Sequence, residues 1–137
     1  SSAASDVYKR QLMNDNVSHP SHYTQWPVEV IDLTERETFL VGNIIKYALR
    51  AGAKDGAPYE EDMAKARWYA RRHVDSMAVR DSWQTGLDSL QTHFADAAAY
   101  LTARQEDTTE MRKYLQDQLA AIYNQVEKEV CEAWDAT

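Results

Sequence analysis

Apolar positions along the chain recur every three or four residues rather than every second one, and five amphipathic segments follow from that spacing. Pro27 suits a first helical position, and Val30, Ile31, Leu33 and Thr34 continue a helix to about Thr38. From Phe39 to Ala51, the residues Val41, Ile44, Ile45 and Ala48 share one face, and Gly52 offers a left-handed stop. Pro58 with Glu60, Glu61 and Asp62 opens a third helix to about Ala78, whose candidate core is Met63, Ala66, Trp68, Tyr69, Ala70 and Val74. Asp81 or Ser82 caps a fourth helix through Leu87, Leu90, Phe94, Ala97, Ala98 and Leu101. Asp107-Thr108-Thr109-Glu110 opens a fifth, with Met111, Leu115, Leu119, Ile122, Tyr123, Val126 and Val130 at helical spacing. No stretch alternates with period two over six residues, so the expected fold is all-α, a compact bundle of about five helices.

Ahead of the helices, the polar and aromatic residues 14–26 predict an irregular N-terminal loop carrying His19-Pro20-Ser21-His22-Tyr23. Residues 1–12 have neither apolar period nor productive cap and read as a disordered leader foreign to the native protein. The remainder divides into residues 13–80, which hold the distinctive motifs, and residues 81–137, a C-terminal helical pair packed on them.

Charge sharpens this division. The 137 residues carry a formal charge of −7, yet residues 46–80 hold 8 basic and 5 acidic groups, while residues 81–137 hold 4 and 11. Such a balance argues against a nucleic-acid partner, whose phosphate backbone calls for clustered Lys and Arg, and favours a small anionic ligand met by a local cationic face. One cysteine, Cys131, excludes an intrachain disulfide framework and points to a cytosolic setting. No run approaches the roughly 20 apolar residues of a membrane span.

The cationic face is drawn by helical spacing. Asn43, Lys46, Tyr47 and Arg50 fall within one polar sector of the second helix, opposite its apolar stripe. Lys46 and Arg50, one turn apart, repel each other unless an anion lies between them, and Lys54 lies just beyond the turn. The His19–Tyr23 loop concentrates two imidazoles, a hydroxyl and a phenol, groups suited to donating to phosphate or stacking on a base. In the third helix, Asp62 precedes Lys65 by three residues and Tyr69 follows four later, so Asp62 is expected to orient Lys65 or to hold a phosphate-bridging metal. His93 and Asp96 are spaced to pair, and no Walker loop, GxGxxG, CxxC or GxSxG occurs.

Four blocks carry a resemblance: His19-Pro-Ser-His-Tyr23, Val28-Glu-Val-Ile-Asp32, Gly42-Asn-Ile-Ile-Lys-Tyr-Ala-Leu-Arg-Ala-Gly52 with Lys54, and Glu61-Asp-Met-Ala-Lys-Ala-Arg-Trp-Tyr69. In that order they resemble the phage nucleotide kinase-like domain family, whose characterised member is a deoxynucleoside monophosphate kinase without a P-loop that works as a large homo-oligomer. The resemblance implies transfer of a phosphoryl group from a nucleoside triphosphate to a deoxynucleoside monophosphate, in the cytoplasm of a host cell. It implies Lys46, Arg50, Asp62 and Lys65 as catalytic residues, and His19, Ser21, His22, Tyr23, Asn43, Tyr47, Lys54 and Tyr69 as substrate-binding ones. The implied partners are nucleoside mono- and triphosphates and further copies of the chain, with Mg²⁺ as a possible cofactor and no metal ligand assigned. Two alternatives stand beside this reading. One is an all-α Mg-dependent nucleotide pyrophosphohydrolase drawing on Glu129, Glu132 and Asp135 with Asp107 and Glu110, and the other a non-catalytic nucleotide-binding or host-interaction protein.

Overall fold

In a computed structural model, residues 26–52, 58–78 and 82–135 are described. They form α1 (Val30–Thr34), α2 (Phe39–Arg50), α3 (Tyr59–Ala78), α4 (Trp83–Thr102) and α5 (Thr109–Asp135), and no strand occurs among them. The fold is the all-α bundle that the apolar spacing predicts. The expected leader and the expected irregular loop lie outside the described residues.

The first helix departs from expectation. It spans five residues rather than reaching Thr38, because Thr38 is needed elsewhere. Thr38 is extended (ψ 161°) so that its hydroxyl can accept from the Val41 amide and cap α2. Pro27 precedes α1 in a bend rather than opening it. Ser82, one of the two candidates, caps α4 by accepting from the Thr85 amide. Gly52 ends α2 with φ +77°, the left-handed conformation expected of it.

One hydrophobic cluster draws on all five helices, and α3 packs against α2, α4 and α5 within it. Its largest fully buried side chains include Ile44, Ile45, Leu49, Leu87, Leu90, Leu101, Met111, Leu115 and Ile122. The crossing of α3 and α4 is close because Gly86 meets Val74: a β-carbon at position 86 would lie 2.8 Å from both the Val74 Cα and its carbonyl oxygen. Polar ties bind α5 to the older-numbered helices. The Tyr114 hydroxyl donates to the Ala51 carbonyl at 2.8 Å, and the Tyr59 hydroxyl donates to Gln118 Oε1 at 2.6 Å. Trp68, expected in the core, is instead 59% exposed, since the inward stripe of α3 runs through Asp62, Ala66, Ala70 and His73 and leaves position 68 on the outside.

Candidate functional site

The polar sector of α2 faces the first half of α3, and Tyr47 stands at its centre. Lys46 Nζ lies 4.4 Å from the Tyr47 ring centroid, Lys65 Nζ 5.5 Å and the Arg50 guanidinium carbon 5.6 Å, so three cations converge on one aromatic ring. Behind it Tyr69 stacks on Tyr47 with centroids 6.0 Å apart and planes 13° from parallel. Tyr69 is met edge-on by Phe39 at 5.9 Å and by Trp68 at 5.1 Å. Phe39 is 74% exposed, so the aromatic group reaches from the helix interface out to solvent.

The three cations are not equivalent. Lys65 donates to Glu61 Oε1 at 3.3 Å on its own helix, and among the described residues Lys46 makes no ion pair. Arg50 is largely buried: its side chain is 11% exposed, and its Nε lies 3.6 Å from Asp62 Oδ1, whose residue has no exposed surface. The anion expected near the Lys46 and Arg50 pair is thus supplied beside Arg50 by the chain itself. The expectation that Asp62 orients Lys65 is corrected: Asp62 lies on the inward stripe of α3 and faces Arg50 across the helix interface, while the outward Lys65 takes Glu61. Among the described residues neither Asp62 oxygen finds a hydrogen-bond donor, so this carboxylate relies on Coulomb attraction where desolvation is costly. Arg50 accordingly backs the site from within, and Lys46 and Lys65 form its accessible charge. Asn43, expected to bind substrate, donates its amide to the Phe39 carbonyl at 2.8 Å.

Beside Lys46 the surface dips into a cleft of about 210 Å³ between α1 and the start of α2, lined by Thr34, Glu37, Thr38, Phe39, Asn43 and Lys46 among others. Glu37 was missed by sequence reasoning. It carries no local motif, and its partner is distant in sequence: Glu37 Oε2 lies 3.2 Å from His93 Nδ1 on α4. The expected pairing of His93 with Asp96 gives way to this contact. His93 also meets His73 edge to face, with ring centroids 5.5 Å apart, and His73 Nε2 shares a hydrogen bond of 2.9 Å with the Ser89 hydroxyl. Burial, reinforced by the neighbouring His93, holds the His73 pKa below the ordinary histidine value.

A larger groove of about 430 Å³ lies between α4 and α5, floored by Phe94, Ala98, Leu119 and Tyr123 and edged by Gln91 and Gln116. Its lining holds no lysine or arginine, so it offers an anion no formal positive charge. Among the described residues no three His, Cys, Asp or Glu side chains gather as metal ligands would, so Glu129, Glu132 and Asp135 do not assemble with Asp107 and Glu110 there. No described helix is long and apolar enough to cross a membrane. His19, Ser21, His22, Tyr23 and Lys54 lie outside the described residues. The structure therefore brings together Lys46, Tyr47, Arg50, Asp62, Lys65 and Tyr69 from the expected set, with Asn43 at the edge of the cleft.

Residues 17–71, fewer than half of the chain, match a family described as a protein of unknown function, DUF3310. No curated protein and no solved structure matches the chain. The match corrects the resemblance drawn from the four motif blocks: the family found over that stretch is this one, and nothing in it indicates a phage nucleotide kinase-like family.

Proposed function

We propose that the α2–α3 face binds a phosphorylated nucleoside and that the chain acts as a nucleotide kinase, passing a phosphoryl group from a nucleoside triphosphate to a deoxynucleoside monophosphate. The observation that supports this reading is the convergence of Lys46, Lys65 and Arg50 on Tyr47, continuous with the aromatic group of Tyr69, Phe39 and Trp68. A nucleotide has the two matching parts, a flat base that stacks on exposed rings and phosphates that draw lysines together. Phosphoryl transfer suits this inventory because catalysis rests mainly on positioning and on neutralising charge over the transferred group. Lys46 and Lys65 would reach the phosphates, while Arg50, held from behind by Asp62, would add fixed positive charge at the back of the site. Mg²⁺ bound to a triphosphate keeps most of its own waters and needs only one or two protein carboxylates.

The uncharged α4–α5 groove is the surface through which copies of this acidic chain would meet, since charge depletion marks the centre of protein interfaces. Under this reading the protein works where nucleotide pools are, in the cytoplasm.

Incubating the purified chain with pooled deoxynucleoside mono- and triphosphates and separating the products tests the reading directly. Diphosphates support the kinase. Monophosphate with pyrophosphate would instead indicate a pyrophosphohydrolase, and retained but unchanged nucleotide a binding protein. Light scattering at micromolar concentration tests the assembly, and a monomer would overturn it.

A further inference from the structure

The α4–α5 groove is uncharged only along its middle, and its two ends carry charge of opposite sign. At one end, Arg112 lies one helical turn before Gln116 and donates at 3.1 Å to the hydroxyl of Thr102, itself one turn past Ala98. Lys113 stands exposed beside it, and the two cations outweigh Asp107, whose carboxylate lies within reach of the Arg112 charge. At the other end, the Tyr123 hydroxyl donates to Glu127 Oε2 at 3.3 Å, and Asp88, one turn before Gln91, accepts from the Gln84 amide at 2.9 Å. Burial first, then Glu127 and more weakly Asp88, push the Tyr123 hydroxyl above the ordinary tyrosine pKa, so both carboxylates belong to that end.

The middle permits close approach. Ala95 falls midway along α4 between Asp88 and Thr102, and Ala120 falls about midway along α5 between Arg112 and Glu127. Both are small and exposed, with the rings of Phe94 and Tyr123 beside them as apolar contact.

Two copies, each with a formal charge of −7, repel one another at a distance, so they meet only where local charges match. A copy laid parallel over the groove brings acid to acid and base to base. Turned end for end, the same copy brings base to acid at both ends, with the small residues on the axis between. The groove thus matches its own inverse, which selects a second copy over a foreign helix, and a surface that complements itself closes as a pair.

We infer that the groove is a two-fold interface: two copies pack end for end through α4 and α5, with Arg112 and Lys113 of each facing Asp88 and Glu127 of the other around Ala95 and Ala120. The inference rests on the reading that copies meet at this groove, and it adds the symmetry of the contact and the charges that fix its register.

Sedimentation equilibrium of the full chain tests it, with circular dichroism to confirm that each variant folds. The wild type contains an even number of copies. Arg112→Glu and Glu127→Arg each set like charges against one another at both ends of the pair, and each weakens association by about tenfold or more. Mixed one to one, the two variants regain the wild-type mass, because each then meets the opposite charge at both ends. Ala120→Glu, at an exposed position in the middle of the groove, separates the copies without altering either end, since it buries two like charges at the axis. Folded variants that keep the wild-type mass, or a mixture that stays dissociated, overturn the two-fold arrangement while the assembly stands. A wild type of three or five copies does the same. A wild type that is monomeric at micromolar concentration overturns the assembly and the arrangement together.

Discussion

The two sides of the bundle treat charge differently. Where α4 meets α5, the buried side chains are Leu87, Leu90, Ala97, Leu101, Met111, Leu115, Leu119 and Ile122, and the ion pair between Arg104 and Glu106 stays at the surface. Where α2 meets α3, a carboxylate and a guanidinium are drawn inside, with Asp62 fully buried beneath Arg50. A hydrophobic pair of similar volume would serve packing at least as well, because desolvation cancels much of the Coulomb gain of a buried ion pair. Retaining such a pair directly behind the cationic aromatic face is the kind of local rule-breaking that sets functional regions apart from scaffold.

The sharpest way to break the comparison is to remove one charge from each side. Asp62→Ala removes the buried carboxylate that faces Arg50 across the helix interface and should cost about 1–3 kcal/mol in urea unfolding. Glu106→Ala, on the surface of the other side, should leave the urea midpoint where it is. Equal losses would erase the distinction. Gly86→Ala comes next. Its β-carbon would strike Val74 backbone at 2.8 Å, and backbone cannot swing aside as a side chain can, so the α3–α4 crossing should open at a cost of about 1–3 kcal/mol.

Smaller effects sharpen the contrast between site and scaffold. Trp68→Ala removes an aromatic group that is mostly in solvent, and the urea midpoint should hold while nucleotide affinity falls severalfold by calorimetry. Unchanged affinity would limit the stacking surface to Phe39 and Tyr69. The His73 effect is the smallest and depends on pH. Because its folded pKa is lowered from 6.5, the unfolded chain binds the proton more readily. The stability is therefore fully present above that unfolded value and is lost as pH falls below it, levelling off beneath the lower folded value. The slope cannot exceed that of one proton, about 1.4 kcal/mol per pH unit, and His73→Gln should reduce it in urea titrations repeated at successive pH values.

How far the sequence was readable follows from the range of each interaction. Val41, Ile44, Ile45 and Ala48 were identified as one buried face because a helix repeats every 3.6 residues, and the left-handed Gly52 followed from its place after the last apolar turn. Failures came where a side chain had a choice between neighbours on its own helix and partners on another. Asp62 looked like a partner for Lys65 and faces Arg50, while His93 looked like a partner for Asp96 and takes Glu37. Helical spacing lists the local candidates for such pairs and is silent about distant ones. The shortening of α1 had a different cause: a threonine that could have continued one helix was worth more as the cap of the next.

The hydroxyl that Tyr114 offers to the Ala51 carbonyl has a consequence for inheritance. Tyr114 also leans its ring on Trp26, with centroids 5.3 Å apart, so one residue of α5 grips both ends of the described α1–α2 segment. The family match stops at residue 71, well short of that grip. A graft that moved residues 17–71 alone into another protein would leave the carbonyl end of α2 untethered, and with it the turn that carries Arg50. Carrying the stretch over intact would call for a substitute for α5 that supplies both a donor to that carbonyl and a ring against Trp26.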